Sequence, residues 1–168
     1  MPRNLEIKVK LQSLIEVKNI LSKNRIKLIE VLNQQDIYYK TGKGLLKLRI
    51  ENGNHTLIFY DRSENTEKRW SDFYLLEFGK ENPKDFLSKF LKPIIVVEKR
   101  RELYLYKNTR IHLDRVKKLG QFLELETKVL NGSEDAEVRF NYLVDLLRLR
   151  RKREIRASYK DLLIKKTL

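Results

Sequence analysis

RIHLDRVKKLGQFLELE, residues 110–126, decides the fold. In its first half Ile111 and Leu113 oppose His112 and Asp114. In its second half Leu123 and Leu125 oppose Glu124 and Glu126. A period of two marks β-strand, so each half is a strand with one apolar and one charged face. The same alternation continues outward along the chain. NLEIKVKL at 4–11 puts Glu6, Lys8 and Lys10 on one side, and Leu5, Ile7, Val9 and Leu11 on the other. LLKLRIE at 45–51 sets Lys47 and Arg49 against Leu46, Leu48 and Ile50. In the run IIVVEKRRELYLY at 94–106, Lys99 and Arg101 share a parity, and in HTLIFYDR Arg62 shares one with Tyr60. QQDIYYK at 34–40 and RWSDFYLLEF at 69–78 complete a set of eight strand-like runs.

Turn signals separate several of them: TGKG at 41–44, ENGN at 51–54 and KNT at 107–109. TGKG lacks the full spacing of a phosphate loop and reads as a hairpin turn. Three segments read as helices. One opens at Ser13 as N-cap and carries a helical pattern towards Leu32, with Asn24 as a point of interruption. A second fits NPKDFLSKFL, with Asn82 capping and Pro83 in first position. A third fits SEDAEVRFNYLVDLLRLR from Ser133, with acids in its first turn. Antiparallel strands with helices between them predict an α+β domain over residues 1–168, the basic segment 148–168 included.

Composition narrows the chemistry. The chain has 168 residues, and its 37 Lys and Arg against 23 Asp and Glu give 37 − 23 = +14. With 41% apolar and 10% aromatic residues it has the means to build a core rather than remain a disordered polyelectrolyte. Zero cysteines exclude disulfide frameworks, cysteine nucleophiles and thiolate metal sites. Two histidines, His55 and His112, argue against a multi-histidine centre. No apolar run has a membrane-spanning length, and MPRNLEIKVK lacks an apolar leader. The expectation is a soluble cytoplasmic protein with no membrane partner, monomer or homodimer, whose excess positive charge calls for a polyanion.

The charges are sorted by strand, with Lys and Arg together on three runs and Glu pairs on another. A sheet with one wet face would also alternate, but it carries mixed pairs more often, since like charges two apart gain nothing from each other. If helices dock on the apolar faces and the sheet curls, the charged faces become an interior. Such an interior holds mostly cations and a few carboxylates, which is intolerable without a ligand. A cavity for a polyphosphate and its divalent metal accounts for both signs.

At this point the residues resemble the CYTH domain family, the triphosphate tunnel metalloenzymes, which include class IV adenylate cyclases and thiamine or inorganic triphosphatases. RNLEIK at 3–8, LLKLRIE at 45–51, LIFYDR at 57–62, VVEKRRELYLY at 96–106, RIHLDRVKKLGQFLELE at 110–126 and SYKDLL at 158–163 match its pieces in order. The resemblance implies a closed antiparallel barrel of about eight strands around a polar tunnel, with helices outside. It implies that Lys8, Lys10, Lys47, Arg49, Arg62, Lys99 and Arg101 bind a small-molecule triphosphate or nucleoside triphosphate, with Lys68 or Arg69 as further candidates. It implies that Glu6, Glu124 and Glu126 bind Mg²⁺ or Mn²⁺, with Asp114 as a further ligand or an orienter of water, and that Glu6 and Asp114 are the catalytic pair. The reaction is then triphosphate hydrolysis or cyclisation of ATP.

One departure stands out. The family's first strand reads Glu-x-Glu-x-Lys, and here it is Glu6-Ile7-Lys8-Val9-Lys10, with a cation in place of the second carboxylate. Either Lys8 is another phosphate ligand beside a single metal, or the chemistry is weakened and the protein binds polyanions without turning them over. The tail LRLRRKREIR at 147–156 adds a second class of reading, RNA binding, in which a 5′-triphosphate end could enter the tunnel. His112 reads as structural or as a support behind the metal ligands.

Overall fold

The computed structural model describes residues 3–62, 70–130 and 132–168. Eight strands follow the alternating runs: β1 Arg3–Leu11, β2 Leu28–Tyr39, β3 Leu45–Glu51, β4 Asn54–Arg62, β5 Trp70–Gly79, β6 Pro93–Tyr106, β7 Thr109–Val116 and β8 Gly120–Lys128. All are antiparallel to their neighbours, in the closed order β1-β5-β4-β3-β2-β6-β7-β8. β1 pairs with β8 from Asn4 to Leu11 and, among the described residues, with β5 through Arg3–Leu5. Closure answers the edge problem of a free sheet and assigns one parity of every strand to the interior.

The apolar parities carry the helices. α1 (Ile15–Lys23) and α3 (Ser133–Leu146) cover β1, β7 and β8, burying Val9, Ile111, Leu113, Leu123 and Leu125 against Val17, Leu21, Leu143 and Val144. The short α2 (Lys84–Ser88) sets Leu87 onto Ile37, Tyr39 and Leu48 outside β2 and β3. Asn82 accepts the Lys84 N–H at 3.0 Å at its start. α4 (Tyr159–Thr167) is opened by a capping box in which Ser158 and Asp161 satisfy each other's orphan groups.

The segment before α4 folds back over one end of the barrel. Glu154 bridges to Val9, and the Ile155 N–H donates to the Lys8 carbonyl at 2.8 Å. Tyr159, Leu119, Phe122, Val116, Val97 and Tyr38 then form an apolar plug at that end. Arg148, Arg150, Arg151, Lys152, Arg153 and Arg156 remain exposed around it.

Two helical expectations shift. The pattern from Ser13 towards Leu32 splits: α1 ends at Lys23, Arg25 takes a left-handed turn (φ 56°), and Leu28 onward is strand. Residues 28–32 read LIEVL, in which a period of two competes with the helical one, and pairing with β6 decides it. The third helix stops at Leu146, because Arg148 adopts φ 57° and a single 3₁₀ turn follows. Gly44, after the TGKG turn, is required: at φ +68° an added Cβ would lie 2.7 Å from the Phe59 ring and 2.9 Å from the Tyr60 carbonyl.

Candidate active site: a charged cavity inside the barrel

The inward parities enclose a cavity of about 440 Å³, and its charges are arranged in two walls. On β2, β3 and β6 the inward side chains include the cluster of Asp36, Lys47, Arg49 and Lys99, with Arg101 further along β6 and Glu30 and Glu51 towards the other end of the cavity. Asp36 is wholly buried and accepts from Lys47 Nζ (2.9 Å), Lys99 Nζ (2.8 Å), Arg49 Nε (2.8 Å) and Arg49 Nη2 (3.0 Å). Burial would raise its carboxyl, but the charges of Arg49, Lys47 and Lys99 outweigh that and hold it well below the usual carboxylate range. Burial pushes the Lys47 and Lys99 ammonium groups down, against the pull of Asp36. Three cations on one carboxylate leave this cluster with surplus positive charge. Tyr38 and Tyr60 face Lys47, their ring centroids 5.5 and 5.6 Å from Nζ.

The second wall is set by register. Across β7, β8 and β1, Arg110, Glu126 and Glu6 stand in one row, His112, Glu124 and Lys8 in the next, and Asp114, Phe122 and Lys10 in the third. The first two rows line the cavity. Lys8 is buried, 3.1 Å from Glu124 Oε1, donates to the Ala157 carbonyl at 3.0 Å, and lies over the Tyr159 ring at 4.3 Å. Glu124 also accepts from Arg101 Nη2 at 2.7 Å. His112 is buried, and burial together with the nearby Arg101 charge pushes its pKa down to about 4, so the imidazole is neutral. Its Nδ1 has no hydrogen-bond partner among the described residues and stands 3.7 Å from Glu126 Oε1. His112, Glu124 and Glu126 each present a ligand atom within 4.8 Å of the others. These oxygen and nitrogen donors fit a divalent cation.

The third row lies at the plugged end. Asp114 is wholly buried outside the cavity lining, and accepts from Arg101 Nε (2.7 Å) and Nη2 (2.6 Å) and from the Tyr159 hydroxyl (2.9 Å). Burial would raise its carboxyl and the Arg101 charge keeps it low. Asp114 thus fixes the Arg101 fork and ties α4 to the barrel wall. Lys10 is exposed beyond the plug, its Nζ 5.8 Å from the centre of the Phe122 ring, and does not line the cavity. The Arg62 side chain, Lys68 and Arg69 lie outside the described residues.

The structure therefore brings Glu6, Lys8, Lys47, Arg49, Lys99, Arg101, Glu124 and Glu126 around one cavity. Asp36 and the cavity-lining place of Tyr159 were not legible in the sequence, and His112, read there as structural or as a support behind the metal ligands, lines the cavity itself. Asp36 shares its parity with Gln34 and Tyr38, and an acid among strand aromatics was the available signal. Towards the unplugged end the lining includes Ile58, Phe73, Leu75 and Leu103, with Glu30, Glu51 and Glu77 beside them.

The family model for the CYTH domain matches residues 2–159. A Methanocaldococcus jannaschii protein named "putative adenylate cyclase" is 27% identical over 169 residues, covering 94% of this chain and 97% of its own. Among solved structures, one Pyrococcus horikoshii protein superposes with a TM-score of 0.81 at 23% identity, covering 95% of this chain and 98% of that one. A second from the same organism gives 0.76 at 25% identity, with 97% and 99% covered. A Hippeastrum protein, described as a "putative adenylyl cyclase" with a dominant triphosphatase activity, gives 0.70 at 12% identity, with 100% and 97% covered.

Proposed function

The chain belongs to the CYTH domain family, and on that premise we propose that it is a divalent-metal-dependent enzyme that hydrolyses a triphosphate held inside the barrel. The observation that carries this reading is the surplus charge of the Asp36 cluster. Lys47, Arg49 and Lys99 are preassembled on one buried carboxylate, so a triphosphate entering there meets cations that need no reordering. Phosphoryl transfer asks a protein chiefly for positioning and charge neutralisation, and preorganised donors supply both.

In this reading Lys47, Arg49 and Lys99 grip the phosphate oxygens, and Arg101, held by Asp114, spans from this wall to Glu124. Lys8 adds a further cation between Glu124 and the bound chain. Glu6, Glu124 and Glu126 would hold Mg²⁺ or Mn²⁺, which when bound would neutralise phosphate charge and supply an activated water. The plug formed by Phe122 and Tyr159 keeps bulk water from one end. Residues 1–168 act as one unit, since the C-terminal segment supplies Tyr159 and the Ala157 carbonyl to the site.

Cyclisation of ATP is the second reading, favoured by Ile58, Phe73, Leu75 and Leu103 in the same cavity, which bare triphosphate would leave unused. A panel of tripolyphosphate, thiamine triphosphate and ATP with Mg²⁺ or Mn²⁺ separates the two, with phosphate and cyclic AMP both measured. Metal-dependent phosphate release is expected, with a loss of roughly 10–100-fold or more in Glu124→Gln. Cyclic AMP as the main product would replace hydrolysis by cyclisation. Tight triphosphate binding with no turnover on any substrate would make the protein a polyanion binder.

A further inference from the structure

His112 lies two strands away, across β8, from the position at which the first-strand pattern departs from its family. In the row His112, Glu124, Lys8, Lys8 stands where a second β1 carboxylate was expected. Its ammonium is committed to Glu124 and to the Ala157 carbonyl. β1 therefore brings one carboxylate, Glu6, to the cavity, and Glu6 does not join the group of close donors formed by His112, Glu124 and Glu126.

The other end of the row carries an unanswered polar atom. Nδ1 of His112 is buried and lacks a hydrogen-bond partner among the described residues, a state that costs free energy unless something fills it. At 3.7 Å from Glu126 Oε1 it is too far for a hydrogen bond, yet close enough for both atoms to share a third partner. Glu124 accepts Lys8 on one oxygen and Arg101 on the other. A cation between the three groups would engage the unpaired nitrogen and two carboxylates.

We infer that His112 is a metal ligand of this chain, making with Glu124 and Glu126 a mixed nitrogen–oxygen site that prefers a first-row transition ion such as Mn²⁺ to Mg²⁺. The inference rests on the metal-dependent reading above and specifies its metal. A neutral imidazole suits borderline ions, whereas Mg²⁺ favours oxygen donors and retained water. The cationic Lys8 beside Glu124 repels any ion bound there, so the site gains selectivity from its nitrogen and loses absolute affinity to its lysine.

The test is three-pulse electron spin-echo spectroscopy on the intact protein loaded with Mn²⁺, made with natural-abundance and with ¹⁵N-labelled histidine. A nitrogen coupling that changes on labelling is expected. It should persist in His55→Gln, whose histidine is also buried with an unpaired Nδ1 but belongs to no donor group among the described residues. In His112→Gln the coupling should vanish and Mn²⁺ affinity should fall on the order of tenfold, with Mg²⁺ affinity unchanged. Lys8→Gln should tighten both ions. If His112→Gln does not fold, the wild-type spectrum alone decides. Bound Mn²⁺ with water and carboxylate couplings only would overturn the assignment of His112 while leaving triphosphate turnover intact. Failure of Mn²⁺ to bind, with or without tripolyphosphate, would overturn it as well, and absence of turnover in the substrate panel would mark failure of the broader reading separately.

Discussion

Two carboxylates in this barrel each hold three cations, on opposite sides of the same wall. Asp36 points inward from β2 and binds Lys47, Arg49 and Lys99. Glu102 points outward from β6 and binds Lys18, Arg100 and Arg115. The valences are equal and the surroundings are not. The partner side chains of Asp36 are 8, 20 and 1% exposed, whereas those of Glu102 are 34, 47 and 45% exposed. Outside, water and salt absorb the surplus charge, and the cluster serves to pin α1 to β6. Inside, nothing screens it, and the surplus remains as a standing attraction for an anion. The same arrangement is a brace on one face of a strand wall and a binding device on the other.

The largest expected effect comes from removing the inner carboxylate. Asp36→Asn keeps the shape and leaves buried Lys47 and Lys99 and half-buried Arg49 facing one another. Breaking a buried cluster in this way costs about 3–5 kcal/mol, or a fall in Tm of roughly 6–20 °C for a chain of this size. Tripolyphosphate should restore more stability to the variant than it gives to the wild type, because the added anion replaces the missing one. Thermal unfolding with and without tripolyphosphate measures both. A loss no larger than that of Glu102→Gln would mean that the interior is as well screened as the surface, and the comparison would collapse.

Acid unfolding sharpens the contrast. Asp36 is ionised far below the ~3.9 of an unfolded aspartate. Its contribution is therefore complete above that pH and is lost only as pH falls towards the folded value. Glu102 behaves with the same sign. Burial raises it, but hydrogen bonds from Lys18, Arg100 and Arg115 bring it from 4.5 to about 2, so its contribution fades between those values. Stability measured by urea unfolding from pH 5 down to pH 2 should fall in the wild type. Both Asp36→Asn and Glu102→Gln should flatten that fall down to pH 2, and only Asp36→Asn should lack the further loss that the wild type shows as pH drops below 2. A wild type that loses no more stability below pH 2 than Asp36→Asn does would remove the distinction between inside and outside.

The alternation that assigned faces to Lys47, Arg49, Glu124 and Glu126 was legible because each has an apolar neighbour of opposite parity, whereas Lys99 and Arg101, flanked by Glu98, Arg100 and Glu102, were placed by the parity they share with Val97 and Leu103. That pattern also carried the eight strands and the barrel. Asp36 was not legible in this way, since Tyr38 and Tyr39 place an aromatic on both parities, one in the cavity and one under α2. The plug was hidden for a different reason. Which rung of β1 still faces the cavity depends on Phe122 and Tyr159, which are distant in sequence, so Lys10 shares a parity with Lys8 but not its surroundings. The place of Asp114 behind Arg101 likewise depends on the Tyr159 hydroxyl, 45 residues away. Local periodicity reports which side of a wall a residue takes, and long-range packing decides what waits there.

The smallest effect belongs to the outer cluster, and it discriminates by its response to salt. Glu102 is itself buried, but Glu102→Gln leaves Lys18, Arg100 and Arg115 able to turn into solvent, so the loss should be about 1–3 kcal/mol, below that at Asp36. Raising ionic strength from 0.1 M towards 1 M shortens the screening length from about 10 Å to about 3 Å, and most of this small difference should disappear. The penalty of Asp36→Asn should persist over the same range, since mobile ions reach a buried pair poorly. Small anions that enter the cavity would imitate rescue by tripolyphosphate, so chloride and sulfate series are needed side by side. A penalty at Asp36 that chloride alone erases would show that the inner wall meets ordinary solvent, and the attraction assigned to it would then be no stronger than that of the surface.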